Sequence, residues 1–267
     1  MNDSDFQLTH PARALWTLHH PPADYPAGVV RVPEPIPGVA FFPGGYGLWG
    51  STAGQPLPPF PVGGVMVLGH DFHSEAGYRE SFKLGAERMT LPTWRSLTTL
   101  LAEVGIALER CFFTNLFMGL REGTATTGPF PGGGDPAFVG HCERFLIEQL
   151  RAQRPALVLT LGVHVPPIIG RLSPELAAWT TGRGLRHLDT VGPVHAKVTW
   201  RGLDGLETTV VALAHPSLRS ANVRHRRYGE LVKHAAEVRM IEDALGRSGM
   251  VTGPRVDAPG GRSSAPR

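Results

Sequence analysis

The distribution of hydrophobic and polar residues along the chain predicts strands alternating with helices. Three short apolar runs, 64–69 (GVMVLG), 111–115 (CFFTN) and 156–162 (ALVLTLG), have the composition of strands that are buried on both faces. The segments around them predict helices over 91–105, 138–153 and 224–245, a short helix within 164–172, and paired strands over 194–200 and 208–214. This alternation indicates an α/β fold, a three-layer α/β/α sandwich with a central, mainly parallel sheet.

The two ends of the chain differ in composition from its middle. Residues 1–60 are rich in Pro and Gly, and we expect an arm that packs on the main domain, 61–245. Residues 246–267 have the composition of a disordered tail, and a second Gly- and Pro-rich loop covers 124–136. The aromatic residues expected to anchor the arm are Trp16, Phe41, Phe42, Tyr46 and Trp49.

Composition restricts the class of protein. With 42% hydrophobic residues in 267, the chain has enough apolar material for a folded core, which excludes a disordered or fibrous protein. We find no apolar run of transmembrane length and no secretion signal, so a cytoplasmic protein without a membrane partner is expected. Two cysteines cannot form a four-thiolate metal cluster. The net charge of +3 is small, although the pI of about 9.1 favours an anionic partner, and charge alone does not establish nucleic-acid binding.

Polar residues follow three of the predicted strands at the point where each strand ends. GHDFH (69–73) follows the first, Asn115 ends the second, and HPS (215–217) follows the last. Ligands of parallel α/β sheets bind beyond the carboxyl ends of the strands. The sequence therefore predicts that an acid, an amide and an imidazole meet at one edge of the sheet.

Each of these residues also has a purely structural interpretation. Asp71 is compatible with a turn cap, Asn115 with a loop amide bonded to its own backbone, and His215 with a partly buried turn histidine. His70, Asp71 and His73 suggest a metal site, but the ligand set is incomplete and strand alternation points neighbours apart, so no metal is expected. The sequence PGGGD (131–135) is not followed by the Lys of a phosphate-binding loop.

Taken in order, the motifs resemble those of the uracil-DNA glycosylase superfamily over roughly residues 60–240. GHDFH is similar to its first motif, of the GQDPYH type, and Thr114-Asn115 to its uracil-binding amide. Residues 141–162 are similar to the helix and strand that precede the last motif. HPSLRSAN (215–222) is similar to that last motif and its DNA-inserting loop.

The resemblance implies a monofunctional DNA glycosylase that flips out uracil or a related damaged base and hydrolyses its N-glycosidic bond in base-excision repair. Its partner would be DNA containing such a base, and we expect a monomer without a cofactor. The branches that carry an iron–sulfur cluster need four cysteines, so no cluster is expected. Phe72 and His73 replace the Pro-Tyr of the best-known first motif, which leaves the exclusion of thymine open.

The same resemblance assigns roles to residues of the site. Asp71 and His215 would be catalytic: His215 would stabilise negative charge on the departing base, and Asp71 would orient a water and offset positive charge on the sugar. Asn115 would read the uracil edge, and Phe82, or else Phe72, would stack on the base. The residues predicted to bind the base are Gly69, His70, Phe72, His73, Phe82 and Asn115.

The segment 218–239 is the most basic part of the chain. It holds six Lys or Arg residues against two acids, which favours contact with phosphates, although a solvated helix face has the same composition. Leu218 or Arg219 would be the side chain that enters the DNA stack. The residues predicted to contact DNA are Ser217, Leu218, Arg219, Arg224, Arg226 and Arg227.

Two other functions remain open at this stage. The first is a non-catalytic protein of the same fold that binds DNA or a modified base. The second is a metal-dependent hydrolase built on His70, Asp71 and His73. An excision assay in the presence of a chelator separates the three, because only the glycosylase releases base under that condition.

Overall fold

The computed structural model describes residues 9–21 and 24–250. The α-helices within these residues are α1 (Pro11–Leu18), α2 (Glu75–Leu84), α3 (Pro92–Glu103), α4 (Pro136–Gln153), α5 (Pro166–Ile169), α6 (Leu185–Val191), α7 (Arg219–Asn222) and α8 (Lys233–Ser248). The strands are β1 (Val29–Val30), β2 (Val65–Asp71), β3 (Cys111–Phe117), β4 (Leu120–Arg121), β5 (Leu157–Leu161), β6 (Val194–Trp200), β7 (Leu203–Leu213), β8 (Arg227–Tyr228) and β9 (Leu231–Val232). None of the described helices is both long enough and apolar enough to cross a membrane.

The central sheet has five strands in the order β3-β2-β5-β7-β6. The first four strands are parallel to one another, and β6 pairs antiparallel with β7 at one edge. The carboxyl ends of four strands therefore lie along one edge of the sheet. The predicted fold class, a mainly parallel sheet between layers of helices, is confirmed.

Two apolar layers cover the two faces of this sheet. Val65 and Val67 of β2 belong to a core cluster with α3 and α8, whereas Met66 and Leu68 belong to a second cluster with α1 and α4. All four side chains are fully buried. Burial on both faces explains why β2 is apolar at consecutive positions rather than at alternate ones.

The described part of the N-terminal segment packs into the core. Ala12 of α1 lies in the same cluster as Phe112 of β3. The backbone N–H of Phe42 donates to the carbonyl of Phe113 at 3.0 Å, and the N–H of Phe113 donates to the carbonyl of Gly47 at 2.9 Å. The segment thus covers the free edge of β3, which would otherwise present unpaired backbone groups.

The C-terminal helix differs from the prediction at both ends. The pattern predicts a helix over 224–245, but α8 begins at Lys233, because a 3-10 turn and the β8–β9 hairpin occupy residues 223–232. Gly229 turns that hairpin with a φ of 56°, a conformation that favours glycine. The helix continues to Ser248, so the predicted tail begins inside it, and residues 251–267 lie outside the described part of the chain.

A buried histidine in the N-terminal segment predicts acid sensitivity. Burial lowers the pKa of His19 from 6.5 to about 3 and that of His20 to about 4. Protons then bind the unfolded chain more tightly than the folded one, so the free energy of unfolding decreases as pH falls from about 6.5 towards 3. We expect the melting temperature of the parent to fall more between about pH 8 and about pH 5 than that of His19→Gln.

The control for this comparison is His187→Gln, which changes a less buried histidine that is bound to the carbonyl of Ala178. Its melting temperature should follow that of the parent across the same range. Equal acid sensitivity of the parent and His19→Gln would show that His19 does not contribute to the loss of stability in acid.

Candidate active site

A cavity of about 480 Å³ lies at the edge where the parallel strands end. Residues from the ends of β2, β5 and β7 form its floor, the start of α3 forms one wall, and part of the 124–130 loop forms another. These contributions include His70, Asp71, Phe72 and His73 after β2, Gly162, Val163 and His164 after β5, His215, Ser217 and Leu218 after β7, Leu91, Pro92, Thr93 and Trp94 of α3, and Thr126, Thr127 and Gly128 with Arg121.

Asp71 is held by charged hydrogen bonds on both of its oxygens. Oδ1 accepts from Nδ1 of His70 at 2.6 Å and from Nη2 of Arg121 at 3.0 Å, and Oδ2 accepts from Nε of Arg121 at 2.8 Å. Burial alone would raise the pKa of Asp71, but these hydrogen bonds lower it to about 2. Asp71 is therefore ionised and fixed in orientation at neutral pH.

Arg121 joins Asp71 to the loop that closes the cavity. Its guanidinium is buried and also donates to the backbone carbonyls of Thr127, Gly128 and Pro129 at 2.9–3.1 Å. Sequence reasoning did not find this residue. The available signal was its position: Arg121 directly follows the apolar residues 116–120, near the carboxyl end of the second predicted strand.

His70 packs among aromatic rings at the cavity floor. Its ring centroid lies 5.1 Å from that of Phe117 and 4.9 Å from that of His164. Partial burial and the neighbouring His70 lower the pKa of His164. His164 was also missed in the sequence, although it occupies the position after the third strand that corresponds to the polar residues noted after the other strands.

His215 faces the same cavity from the end of β7. Its Nδ1 accepts a hydrogen bond from the backbone N–H of Ser217 at 3.3 Å and lies 2.8 Å from Oγ of Ser217. Burial lowers the pKa of His215, although the charge of Asp71 acts in the opposite direction. The neutral ring is favoured, and because Nδ1 accepts, the proton is assigned to Nε2.

Asn115 lies within β3, beneath the cavity rather than along its wall. Its Nδ2 donates to the backbone carbonyl of Phe42 at 2.9 Å, and its side chain is buried. A Cβ atom on Gly69, its partner in β2, would lie 2.3 Å from Oδ1 of Asn115. The glycine thus makes room for the amide. This placement differs from the prediction, since the amide donor binds the protein's own backbone instead of a base.

The two aromatic candidates for stacking are in different places. Phe72 lines the cavity and packs on the backbone of Gly44, where an added Cβ would lie 2.0 Å from Cζ of the ring. Phe82 is 48% exposed on α2, stacks on Tyr78 and is absent from the cavity wall. The first choice of the sequence analysis is therefore wrong in position, because α2 directs Phe82 outwards.

His73, predicted to bind the base, does line the cavity. Its Nδ1 accepts from the backbone N–H of Ser74 at 2.9 Å, so in the neutral ring Nε2 carries the proton. Burial lowers the pKa of His73, which favours that neutral form.

Leu218 and Arg219 follow His215 but have opposite environments. Leu218 is 54% exposed at the mouth of the cavity. Arg219 is buried, where Nη1 pairs with Glu237 of α8 and Nη2 contacts Nδ1 of His234 at 2.8 Å. Of the two residues considered for insertion into DNA, only Leu218 is free to do so.

Arg226 is fully buried, which corrects its prediction as a DNA-contacting residue. Nη2 donates to the carbonyl of Ala212 at 2.7 Å and lies 3.1 Å from Oδ1 of Asp189. Nε lies 3.7 Å from Oε1 of Glu237. Sequence reasoning placed it on a solvated helix, whereas the chain turns inwards before α8 begins. The guanidinium stabilises the turn instead of meeting a phosphate.

Exposed arginines nearby line a second cavity of about 360 Å³ that adjoins the first through Val163, Leu185 and Asn222. Its wall includes Arg183, Arg186 and His225, and both arginines are exposed. Of the other cations predicted to contact DNA, Arg224 and Arg227 are also exposed. Arg183 and Arg186 were not found in the sequence, because single arginines before and at the start of a short helix give no local signal.

The described residues contain no group of three or more His, Cys, Asp or Glu side chains arranged to hold a metal ion. Cys111 and Cys142 are free buried thiols, and burial raises the pKa of Cys142 to about 12.

The fold places a cavity beyond the carboxyl ends of a parallel sheet, where proteins of the α/β class bind their ligands, and His215 and Ser217 of the HPS turn line it. A comparison with known families matches residues 85–239 to the uracil DNA glycosylase superfamily. This segment is more than half of the 267 residues, and the chain belongs to that superfamily. A search of curated proteins found no match. The matched segment contains Asn115, His164 and His215 but begins after GHDFH.

Proposed function

We propose that this protein is a monofunctional DNA glycosylase that hydrolyses the N-glycosidic bond of uracil or a related damaged base. Residues 61–245 would form the glycosylase domain. The observation that carries this proposal is the arrangement of His215 in one cavity with the ionised Asp71. Membership of the superfamily supports the reaction class.

His215 would stabilise the departing base. Cleavage of the C1′–N1 bond leaves negative charge on N1 and O2 of uracil, and a donor fixed where that charge develops lowers the barrier. The Ser217 N–H at Nδ1 leaves Nε2–H of His215 as the donor. A neutral imidazole can fill this role, since its Nε2–H donates a hydrogen bond without the ring first taking up a proton.

The carboxylate of Asp71 would act on the sugar side of the bond. The transition state of glycoside cleavage has oxocarbenium character, which a nearby negative charge stabilises. Arg121 offsets part of this charge, so the contribution of Asp71 depends on how closely the sugar approaches Oδ2. Arg121 also holds the carboxylate in place before the substrate binds, which avoids reorganisation during the reaction.

Phe72 and His73 would recognise the flipped base. The ring of Phe72 supplies an apolar surface for stacking, and Nε2–H of His73 is a donor for a carbonyl such as O4 of uracil. Cytosine carries an amino donor in place of O4, so the same contact would be repulsive. We therefore assign base discrimination to His73 rather than to Asn115.

The mouth of the cavity would hold the DNA strand. Leu218 would fill the gap that the flipped nucleotide leaves, which offsets part of the few kcal/mol that unstacking costs. The exposed cations Arg183, Arg186, Arg224 and Arg227 would contact phosphates on either side.

The phosphate contacts predict the salt dependence of binding. A double variant, Arg183→Ala with Arg186→Ala, should weaken binding to undamaged duplex and reduce the slope of log K against log salt by about 0.9 for each phosphate that is no longer neutralised. The measurement is fluorescence anisotropy at several salt concentrations.

Arg201→Ala is the matched control, because this exposed arginine lies in the turn before β7, at the opposite end of that strand from His215. Its slope should equal that of the parent. An unchanged slope in the double variant would show that the second cavity is not part of the DNA-binding surface.

The experiment that tests the proposed function uses oligonucleotides that each carry one damaged base. Incubation with excess protein in EDTA, followed by alkaline cleavage of abasic sites, should give a cut strand for uracil or a related base. The strand should remain uncut without alkali, since the described residues that line the cavity include no lysine to act as a nucleophile. Tight binding without release of any base would favour the non-catalytic alternative.

A further inference from the structure

We infer that His70 accepts the proton of the attacking water. Asp71 is the positioning residue that orients the His70 ring. This inference rests on the proposed glycosylase function and assigns the base of that reaction. It starts from the hydrogen bonds of two histidines that line the same cavity, His70 and His215.

The two histidines have opposite tautomers. Nδ1 of His70 lies 2.6 Å from Oδ1 of Asp71, an ionised carboxylate that can only accept, so Nδ1 of His70 carries the proton. Its Nε2 then has a lone pair. Nδ1 of His215 accepts from the N–H of Ser217, so its proton is on Nε2. One neutral imidazole thus offers the cavity a proton acceptor and the other offers a donor.

His70 is also held more rigidly than a surface histidine. Its side chain is 13% exposed and packs edge-on against Phe117, with His164 beside it. Within the described residues its Nε2 has no hydrogen-bond partner, so this atom is available to water in the cavity. The ring cannot turn over without losing its bond to Asp71.

Asp71 is poorly suited to be the base itself. Three charged hydrogen bonds already occupy its oxygens, and the same bonds lower its pKa to about 2. A carboxylate of such low basicity gains little from accepting a proton. Its geometry instead resembles the carboxylate of a catalytic triad, which fixes the tautomer and orientation of a histidine.

The proposed step conserves atoms and charge. The oxygen of water forms a bond to C1′ while its proton passes to Nε2 of His70. The C1′–N1 bond breaks, and its electron pair leaves with the base, whose O2 accepts a hydrogen bond from Nε2–H of His215. The products are an imidazolium at His70, the free base as its anion, and an abasic sugar with a hydroxyl at C1′. Transfer of a proton to the base through solvent restores the neutral site.

The test measures single-turnover excision of uracil by the parent and by His70→Gln between about pH 5 and pH 9. Glutamine can still donate to Asp71 but cannot take up a proton, so we expect a loss of about 10²–10⁴-fold in rate. The pH–rate profile of His70→Gln should differ in shape from that of the parent, because the variant lacks the group that takes up the proton. The charged and titratable groups around His70 are Asp71, Arg121, His164 and His215, so His164→Gln is measured as well and should keep the shape of the parent profile.

A second measurement does not depend on activity. Nitrogen NMR of the histidine side chains at about pH 8 should show the neutral His70 protonated at Nδ1 and the neutral His215 protonated at Nε2. His70 protonated at Nε2, or a His70→Gln rate within a few-fold of the parent rate, would overturn the inference and leave the proposed function intact. A parent protein that releases no base would overturn both.

Discussion

Replacing His215 with alanine should lower the single-turnover rate of uracil excision by about 10²–10³-fold, because it removes the donor that faces the departing base. The Nε2–H of His215 is already oriented by the N–H of Ser217 before substrate binds, so its loss acts on the chemical step. Affinity for undamaged duplex should change little, since phosphate contacts dominate that binding. The measurement is excision with excess enzyme, together with binding by anisotropy.

His195→Gln is the control for this substitution. His195 lies on the edge strand β6, outside the cavity wall, with Nε2 bound to the carbonyl of Gly192. Its excision rate should match that of the parent. If His215→Ala excised uracil at the parent rate, the imidazole would not stabilise the leaving base, and the catalytic assignment would be wrong.

Replacing Arg226 with alanine should destabilise the folded protein by about 3–5 kcal/mol, because it removes the buried positive charge that two buried carboxylates share. Asp189 and Glu237 both face this guanidinium, and all three side chains are largely or fully buried. For a domain of this size the loss corresponds to a fall of roughly 6–20 °C in melting temperature. Differential scanning calorimetry measures it directly.

Arg227→Ala is the matched control, since Arg227 is the next residue and its side chain is exposed. Its melting temperature should stay within a degree or two of the parent value, as expected for an exposed site. Equal stability of the two variants would contradict a structural role for Arg226.

The positions of the central strands were predictable because buried parallel strands leave a strong local signal. Runs such as VMVL in β2 are apolar at consecutive positions, and in the structure their side chains fill both faces of the sheet. The polar residues after these runs could be placed at one edge from topology alone. His70, Asp71 and His215 now lie along one cavity for this reason.

The partners of each side chain were not predictable, because they depend on contacts between distant segments. The amide of Asn115 binds Phe42, which is 73 residues away in sequence. Asn115→Asp would face one acceptor with another in a buried position, so we expect it to destabilise the fold. Similarly, Asp71 meets Arg121 fifty residues further along the chain, and no local pattern indicates that pair.

Charge composition was the weakest guide. The basic segment 218–239 suggested a continuous phosphate-binding face, but Arg219 and Arg226 are buried against Glu237. Glu237 also accepts from the N–H of Ala214, so these ions fix the turn that carries His215. The acid that neutralises these arginines, Glu237, comes from another element, α8. A count of charges along the sequence does not reveal which cations such an acid neutralises.

The central claim is tested most directly by the mass of a uracil-containing oligonucleotide after incubation with excess protein in EDTA. The account predicts an intact strand in which a hydroxyl has replaced uracil at C1′, together with free uracil, and predicts that His215→Ala gives this product about 10²–10³-fold more slowly. A strand that keeps its full mass with uracil and with every related damaged base would contradict the account.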